Sequence, residues 1–354
     1  MLAQVMVISG SFLAAIAFTV LVRRWAAGRG VVDKPGDPRN PHVTPVPLLG
    51  GTAIYLTFTL VVWGLALLTN LVVGKDVSWQ ALWAFTGGGL LLMLGGYLDD
   101  RYRLSPAKQI VWPALAALLV LAAGVHVSVV TNPWGGLLEL GTAVSLGLTF
   151  VWLMGTMYTT KLLDGMDGLA SGIGAIGGLI IFGLTQFTPF YQPPVGFLAL
   201  SLAGAALGFL VWNFYPAKIF LGEGGSLYLG FVLGVLAIIS GAKIATTLLV
   251  MGIPILDVAW VIVRRLFWDK QKVTQADRKH LHYRLLDAGL THRQAVVILY
   301  LITASFGLSS LFLRTQGKLI ALGVLLLVMT ALGWWVVRRF HEKKISVQRT
   351  EISL

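Results

Sequence analysis

The sequence predicts an all-α, polytopic integral membrane protein, and three observations carry that prediction. Of 354 residues 56% are hydrophobic and 12% charged, with a mean hydropathy of +0.81, far from the composition of a soluble domain. Eleven apolar runs are long enough to cross a hydrocarbon core of roughly 30 Å, which takes about 20 helical residues. The basic residues between those runs gather on one side.

In chain order the runs are 4–22, 47–73, 79–98, 109–129, 140–160, 169–187, 193–213, 226–242, 244–263, 294–313 and 318–337, the 226–242 run being the shortest. With the N-terminus outside, loops 23–46, 99–108, 161–168, 214–225 and 264–293 and the tail 338–354 share one face. That face holds 23 Lys and Arg; the other holds only Lys75, Lys243, Arg314 and Lys318. Cytoplasmic loops are enriched in these residues, so the face is cytoplasmic, and the formal charge of +12 reports insertion topology. It gives no reason to expect nucleic-acid binding, while contacts to anionic lipid or phosphate are compatible with it. The first run has no basic residue before it, has Arg23 and Arg24 after it, and is longer than a signal-peptide core, so it reads as a retained helix.

The longest interruption of the apolar pattern is 264–293, too short for a soluble domain, so residues 1–354 form one membrane domain. Within that loop, Gly289 can end a helix and Thr291 to Gln294 has the form of a capping box, predicting a partly helical cytoplasmic projection. Glycines inside the runs read as close-packing positions between helices. Absence of cysteine excludes disulfides, thiolate catalysis and cysteine metal sites.

The acidic residues carry the functional signal. Of 15 Asp and Glu, only Asp76 and Glu139 lie in outer loops and only Asp257 within a run. Asp99 and Asp100 in LDDRYRLSPAK, Asp164 and Asp167 in KLLDGMDGLASG, and Glu223 in FLGEGGS stand at helix ends on the cytoplasmic face. A carboxylate at mid-membrane costs about 2.5–3.5 kcal/mol on insertion scales, less at the boundary, so three such clusters need a common reason. In a helical turn Asp164 and Asp167 share a face and offer oxygen ligands to a hard cation such as Mg²⁺. Adjacent Asp99 and Asp100 diverge, so only one joins that centre. The GEGGS glycines would admit a ligand to backbone amides, with Ser226 capping a helix whose N-terminus favours anions. Lys108, Lys218, His280, His282 and Arg284 lie on the same face; the two imidazoles fit anion handling better than a metal site, and their spacing of two implies a turn or a single inward ring. Together these features predict phosphoryl transfer between a nucleotide substrate and a lipid.

Five ordered blocks, DKPGDPRNPHVTPVPLLGG, DDRYRLSPAK, LLDGMDGLASG, NFYPAKIFLGEGGS and DRKHLHYRLL, resemble the polyprenyl-phosphate N-acetylhexosamine-1-phosphate transferases, which include the MraY, WecA and TagO enzymes. That resemblance implies transfer of a sugar 1-phosphate from a UDP-sugar to undecaprenyl phosphate, with release of UMP, at the bacterial cytoplasmic membrane. It implies Mg²⁺, with Mn²⁺ as a substitute, membrane lipids around the chain, and a homodimer. His280-Leu-His282-Tyr-Arg284-Leu-Leu286 is similar to the GlcNAc-1-phosphate branch and lacks the Pro-His-His-His run of the MraY branch. The resemblance makes Asp99 the group that deprotonates or positions the acceptor, with Asp100 beside it and Lys108 at the phosphates. It places Asp164, Asp167, Phe220, Thr44, Lys161 and Arg284 with the substrate, Asp167 towards uracil and Phe220 stacked on it. Glu223, with Asp164, becomes the metal ligand, and His280 and His282 contact diphosphate or sugar.

The chain departs from the family pattern at Tyr158 and Lys161, where asparagines are usual, at Glu223, where aspartate is usual, and at Tyr283, the second histidine of a pair. The first expectation from these changes is that they are coupled, Lys161 pairing with Glu223 or with a substrate phosphate. Asp257 is expected to hold a loop backbone near the site, where Pro254 frees a polar group. An inactive relative and a transporter with broken, charged helices are the rival readings; attack by the acceptor directly or through a covalent intermediate stays open.

Overall fold

A computed structural model describes residues 1–34, 44–189, 191–241, 244–265 and 280–352, with side chains as far as Arg339. The helices are α1 (Leu2–Gly28), α2 (Gly50–Leu68), α3 (Trp79–Tyr102), α4 (Pro106–Gln109), α5 (Val111–Ala122), α6 (Thr142–Leu163) and α7 (Leu169–Phe187). They continue as α8 (Pro193–Asn213), α9 (Gly222–Ile239), α10 (Ile244–Val250), α11 (Gly252–Arg264), α12 (Leu281–Asp287), α13 (His292–Phe312) and α14 (Thr315–Ile352). Two short antiparallel pairs complete the fold: β1 (Val32–Asp33) with β2 (Val46–Pro47), and β3 (Val129–Thr131) with β4 (Leu137–Glu139).

Among the described residues nine helices are long and apolar enough to span a membrane, and α10 with α11 makes a tenth span broken by a 78° bend. The protein is a polytopic all-α membrane protein. Two of the eleven expected spans are corrected in form. The 109–129 run becomes the 12-residue α5, because Gly124 turns the chain at φ +75° and Val129 enters a hairpin. The 244–263 run breaks because the Pro254 ring cannot coexist with a helical carbonyl at Val250, the residue where α10 stops.

α9 is the centre of the bundle, packed against α2, α3, α6, α7, α8 and α10. Without a hydrophobic drive inside lipid, close van der Waals packing does the work. Tyr228 and Phe231 on α9 meet Tyr55 and Phe58 on α2 and Phe85 on α3 edge-on, at centroid separations of 5.5–6.3 Å. Each such aromatic pair contributes roughly 0.5–1.5 kcal/mol beyond its area. At the start of α9 the backbones themselves touch: a Cβ added to Gly51 would lie 1.9 Å from the Gly225 Cα, and one on Gly96 2.4 Å from the Gly224 Cα. The packing role expected for glycines in the runs therefore extends to GEGGS, where Gly224 and Gly225 face neighbouring helices and not a ligand. Ser226 is not a cap either; α9 begins at Gly222, and the Ser226 hydroxyl donates back to the Gly222 and Glu223 carbonyls.

Candidate active site

The loops 99–108, 161–168 and 214–225, with the described ends of 23–46, meet at one end of the bundle around a cavity of about 280 Å³. Its lining includes Asp33, Asp100, Lys161, Asp164, Asp167, Asn213, Phe220, Glu223 and Ser226. Helix ends build it: α3 delivers Asp100 in its last turn, α6 delivers Lys161 and then Asp164 as its C-cap, and α9 delivers Glu223 in its first turn.

The two adjacent aspartates diverge, as a step of one residue on a helix requires. Asp100 lines the cavity: its Oδ1 accepts from the Glu223 amide at 3.3 Å, and its Oδ2 is buried without a hydrogen-bond partner. Asp99 instead holds the turn after α3, its Oδ1 accepting from the Leu104 amide at 2.8 Å and from Gln109 Nε2 at 3.0 Å. The residue at the centre is thus Asp100, while Asp99 fastens the segment beside it.

Lys161 and Glu223 form an ion pair through Nζ and Oε1, the pairing expected from their joint departure from the family pattern. Gln109 Oε1 accepts from Lys161 Nζ at 3.1 Å, and the ammonium lies 5.5 Å from the Tyr158 ring centroid. A continuous polar chain therefore runs Asp99–Gln109–Lys161–Glu223–Asp100, tying together the ends of α3, α4, α6 and α9.

Asp164 and Asp167 converge through a turn between α6 and α7, not through a helical face. Burial, followed by the Glu223 and Asp167 charges, pushes the Asp164 carboxyl up to about 8. Asp167 Oδ2 accepts from the Ala217 amide at 2.9 Å, so it also anchors the 214–218 segment. Asn213 does more of the same: its Oδ1 accepts from the Gly168 amide at 3.1 Å and the Ser171 hydroxyl at 2.8 Å, and its Nδ2 donates to the Ile219 carbonyl.

The His-bearing loop meets the cavity's DGMDG turn at Gly165. Asp257 on α11 accepts from the Leu281 amide and bonds His280 Nδ1, both at 2.8 Å, which is the loop-holding role expected of it. His280 is the extended N-cap of α12, and this turn lets its ring stack on His282 at 5.6 Å and 10°. A Cβ on Gly165 would lie 2.3 Å from His282 Nε2, so the glycine of the DGMDG turn lets the buried imidazole approach. Burial above all pushes His282 down to about 4, leaving it neutral. The Thr291–Gln294 capping box forms, and Gly289 turns at φ +102° after α12. Residues 266–279 lie outside the described residues, so the expected projection is described only in part.

Six of the expected site residues are not among those lining the cavity: Asp99, Lys108, His280, His282, Thr44 and Arg284. Thr44 and Lys108 are exposed. Arg284 lines a separate, mostly apolar cavity of about 360 Å³ between α11, α12 and α14, with Asp257 and Trp260. Asp33, Gln109 and Asn213 were missed by sequence reasoning; only Asp33, opening the first block, carried any signal.

Oxygen chemistry here suits a hard divalent cation. A buried, unpartnered Asp100 oxygen faces the same cavity as Asp164 and Glu223. Among the described residues no three His, Asp or Glu are close enough to hold an ion alone. Mg²⁺ keeps waters and takes one or two carboxylates beside substrate phosphates.

Residues 82–241 match Glycosyl transferase family 4. The "Probable undecaprenyl-phosphate N-acetylglucosaminyl 1-phosphate transferase" of Bacillus subtilis (strain 168) is 31% identical over 328 residues, covering 90% of this chain and 87% of the relative. The chain belongs to glycosyl transferase family 4. Another family relative, the "Decaprenyl-phosphate N-acetylglucosaminephosphotransferase" of Mycobacterium tuberculosis (strain ATCC 25618 / H37Rv), is 33% identical over 87% of this chain and 84% of its own length. The "Phospho-N-acetylmuramoyl-pentapeptide-transferase" of Anoxybacillus flavithermus (strain DSM 21510 / WK1) is 26% identical over 84% and 92%. All five motif blocks lie within residues 33–286 of this family 4 chain.

Proposed function

We propose that this chain transfers GlcNAc 1-phosphate from UDP-GlcNAc to undecaprenyl phosphate, releasing UMP and starting a cell-envelope polysaccharide at the cytoplasmic face of a bacterial membrane. The observation that carries this reading is a carboxylate-lined cavity at one end of an apolar bundle, in a chain similar along most of its length to a relative named for that transfer. A soluble nucleotide and a lipid phosphate can meet only at such a boundary.

In this reading uracil rests against Phe220, with Asp167 at its edge, and the diphosphate lies towards Lys161. Glu223 and Asp164 would hold Mg²⁺, or Mn²⁺ in its place, beside the substrate phosphates, and the ion when bound neutralises charge on the diphosphate. An acceptor phosphate oxygen attacks the phosphorus that carries the sugar; the new P–O bond forms as the P–O bond to UMP breaks, and its electron pair leaves on UMP. Asp100 faces the reacting groups, Asp99 keeps the α3–α4 turn in place, and His282, neutral and next to Gly165, offers an uncharged donor or acceptor to the diphosphate or sugar.

The test is UMP release by purified protein given Mg²⁺, undecaprenyl phosphate and one donor at a time. UMP from UDP-GlcNAc that requires the lipid is the expected result. UMP from UDP-MurNAc-pentapeptide alone would assign the chain to its muramoyl-pentapeptide relatives. Silence with every donor from folded protein would favour the inactive-relative or transporter readings, the latter sharing the broken span α10–α11.

A further inference from the structure

Lys161 is the one cation among the described residues lining the cavity, where it faces Asp33, Asp100, Asp164, Asp167 and Glu223. Its ammonium is held by Glu223 Oε1, by Gln109 Oε1 at 3.1 Å and by the Tyr158 ring. With 20% and 16% of their side chains exposed, Lys161 and Glu223 are shielded from bulk water, so their attraction is stronger than a surface pair's.

A divalent ion that takes Glu223 Oε1 as a ligand therefore competes with this ammonium. Displacement leaves a positive charge on a flexible four-carbon stem inside the cavity. The anion that compensates it is the diphosphate of the donor, whose place rests on the function proposed above. We infer that Lys161 is a tethered cation that occupies Glu223 in the resting site and passes to the donor diphosphate when the metal binds, making metal and nucleotide binding cooperative. The coupling is reciprocal: each ligand tightens the other by the same factor. It also gives a physical reason for Lys161 and Glu223 occurring together, since the longer glutamate can reach either the ammonium or a metal.

The probes are Mn²⁺ and UDP, titrated separately and together into the purified full chain, with chelator present in the metal-free arm. Lys161→Gln is expected to bind Mn²⁺ alone about tenfold tighter and UDP without metal about tenfold weaker, from loss of one close charge. The factor by which Mn²⁺ tightens UDP then shrinks. Lys161→Arg, which keeps the charge, is expected to follow the wild type in direction and to show that the gain is not a general loosening of the site. Unchanged or weaker Mn²⁺ binding by Lys161→Gln, with UDP binding to wild type intact, overturns the inference alone. A wild-type chain that binds Mn²⁺ but no UDP overturns the donor-site reading and the inference with it.

Discussion

α9 and α14 are both long apolar helices, yet they do opposite jobs. In the most apolar stretch of α9, 83% of residues are buried within the protein; in that of α14 only 17% are. α14 is the more apolar of the two because it faces lipid. α9 carries glycines and a glutamate because protein, and not lipid, surrounds it. The shortest apolar run in the sequence thus marks the structural and chemical centre, since a helix enclosed by other helices is freed from matching the hydrocarbon and can hold a charge at its end.

The sharpest way to break this contrast is with glycine. Gly225→Val on α9 drives a side chain into the Gly51 backbone, whose Cα already lies 2.5 Å from an ideal Cβ. It should cost about 3 kcal/mol or more and abolish recovery of folded protein. Gly323→Ala on α14 has nothing within 4 Å of the added Cβ and should leave the melting temperature unchanged or slightly raised. Equal effects from the two changes would refute the contrast.

Charge gives the next largest effect. Asp100→Asn and Glu223→Gln, at the site end of α3 and α9, should each lower turnover by about 10²-fold or more while folded protein is still recovered. Arg338→Gln on α14, which lies 4.2 Å from the Trp334 ring, should change turnover by no more than about twofold.

Asp257→Asn loses the charge that holds His280 and the Leu281 amide. It should destabilise by roughly 2 kcal/mol and lower turnover in step with the loss of folded protein. Intact expression with abolished turnover would instead place Asp257 in the chemistry.

The smallest effect is a pH slope. His282 is held near 4 in the fold and titrates near 6.5 when unfolded, so its contribution is present above 6.5 and lost as pH falls from 6.5 towards 4. Between pH 7.5 and 5 the wild type should lose roughly 1–2 kcal/mol more stability than His282→Gln. Parallel melting curves for the two proteins across that range would show that His282 is not buried and neutral.

Much of this was legible in the sequence where one physical signal dominates. Long apolar runs, the basic face, the Thr291 capping box and the loop-holding Asp257 each follow from a local rule, and the Lys161–Glu223 pair from two departures from one family pattern. The rest depends on contacts that pattern cannot reveal. Gln109 and Asn213 are neutral amides at no diagnostic spacing, yet they bond four segments. Gly224 and Gly225 could equally have cradled a ligand, because glycine signals close approach without naming what approaches. Between Asp99 and Asp100, helix geometry says that they diverge but not which one points inward. Apolar content could not show that α5 ends at 12 residues, because its stop lies in the Gly124 turn.

The most direct test of the central claim is to follow the sugar-bearing phosphate itself, using UDP-GlcNAc labelled at that phosphorus, undecaprenyl phosphate, Mg²⁺ and the purified chain. Label is expected in the lipid fraction, with one UMP released per labelled lipid, and both are expected to be lost with Asp100→Asn. Label that stays in the nucleotide, or appears as free phosphate without labelled lipid, would contradict the claim.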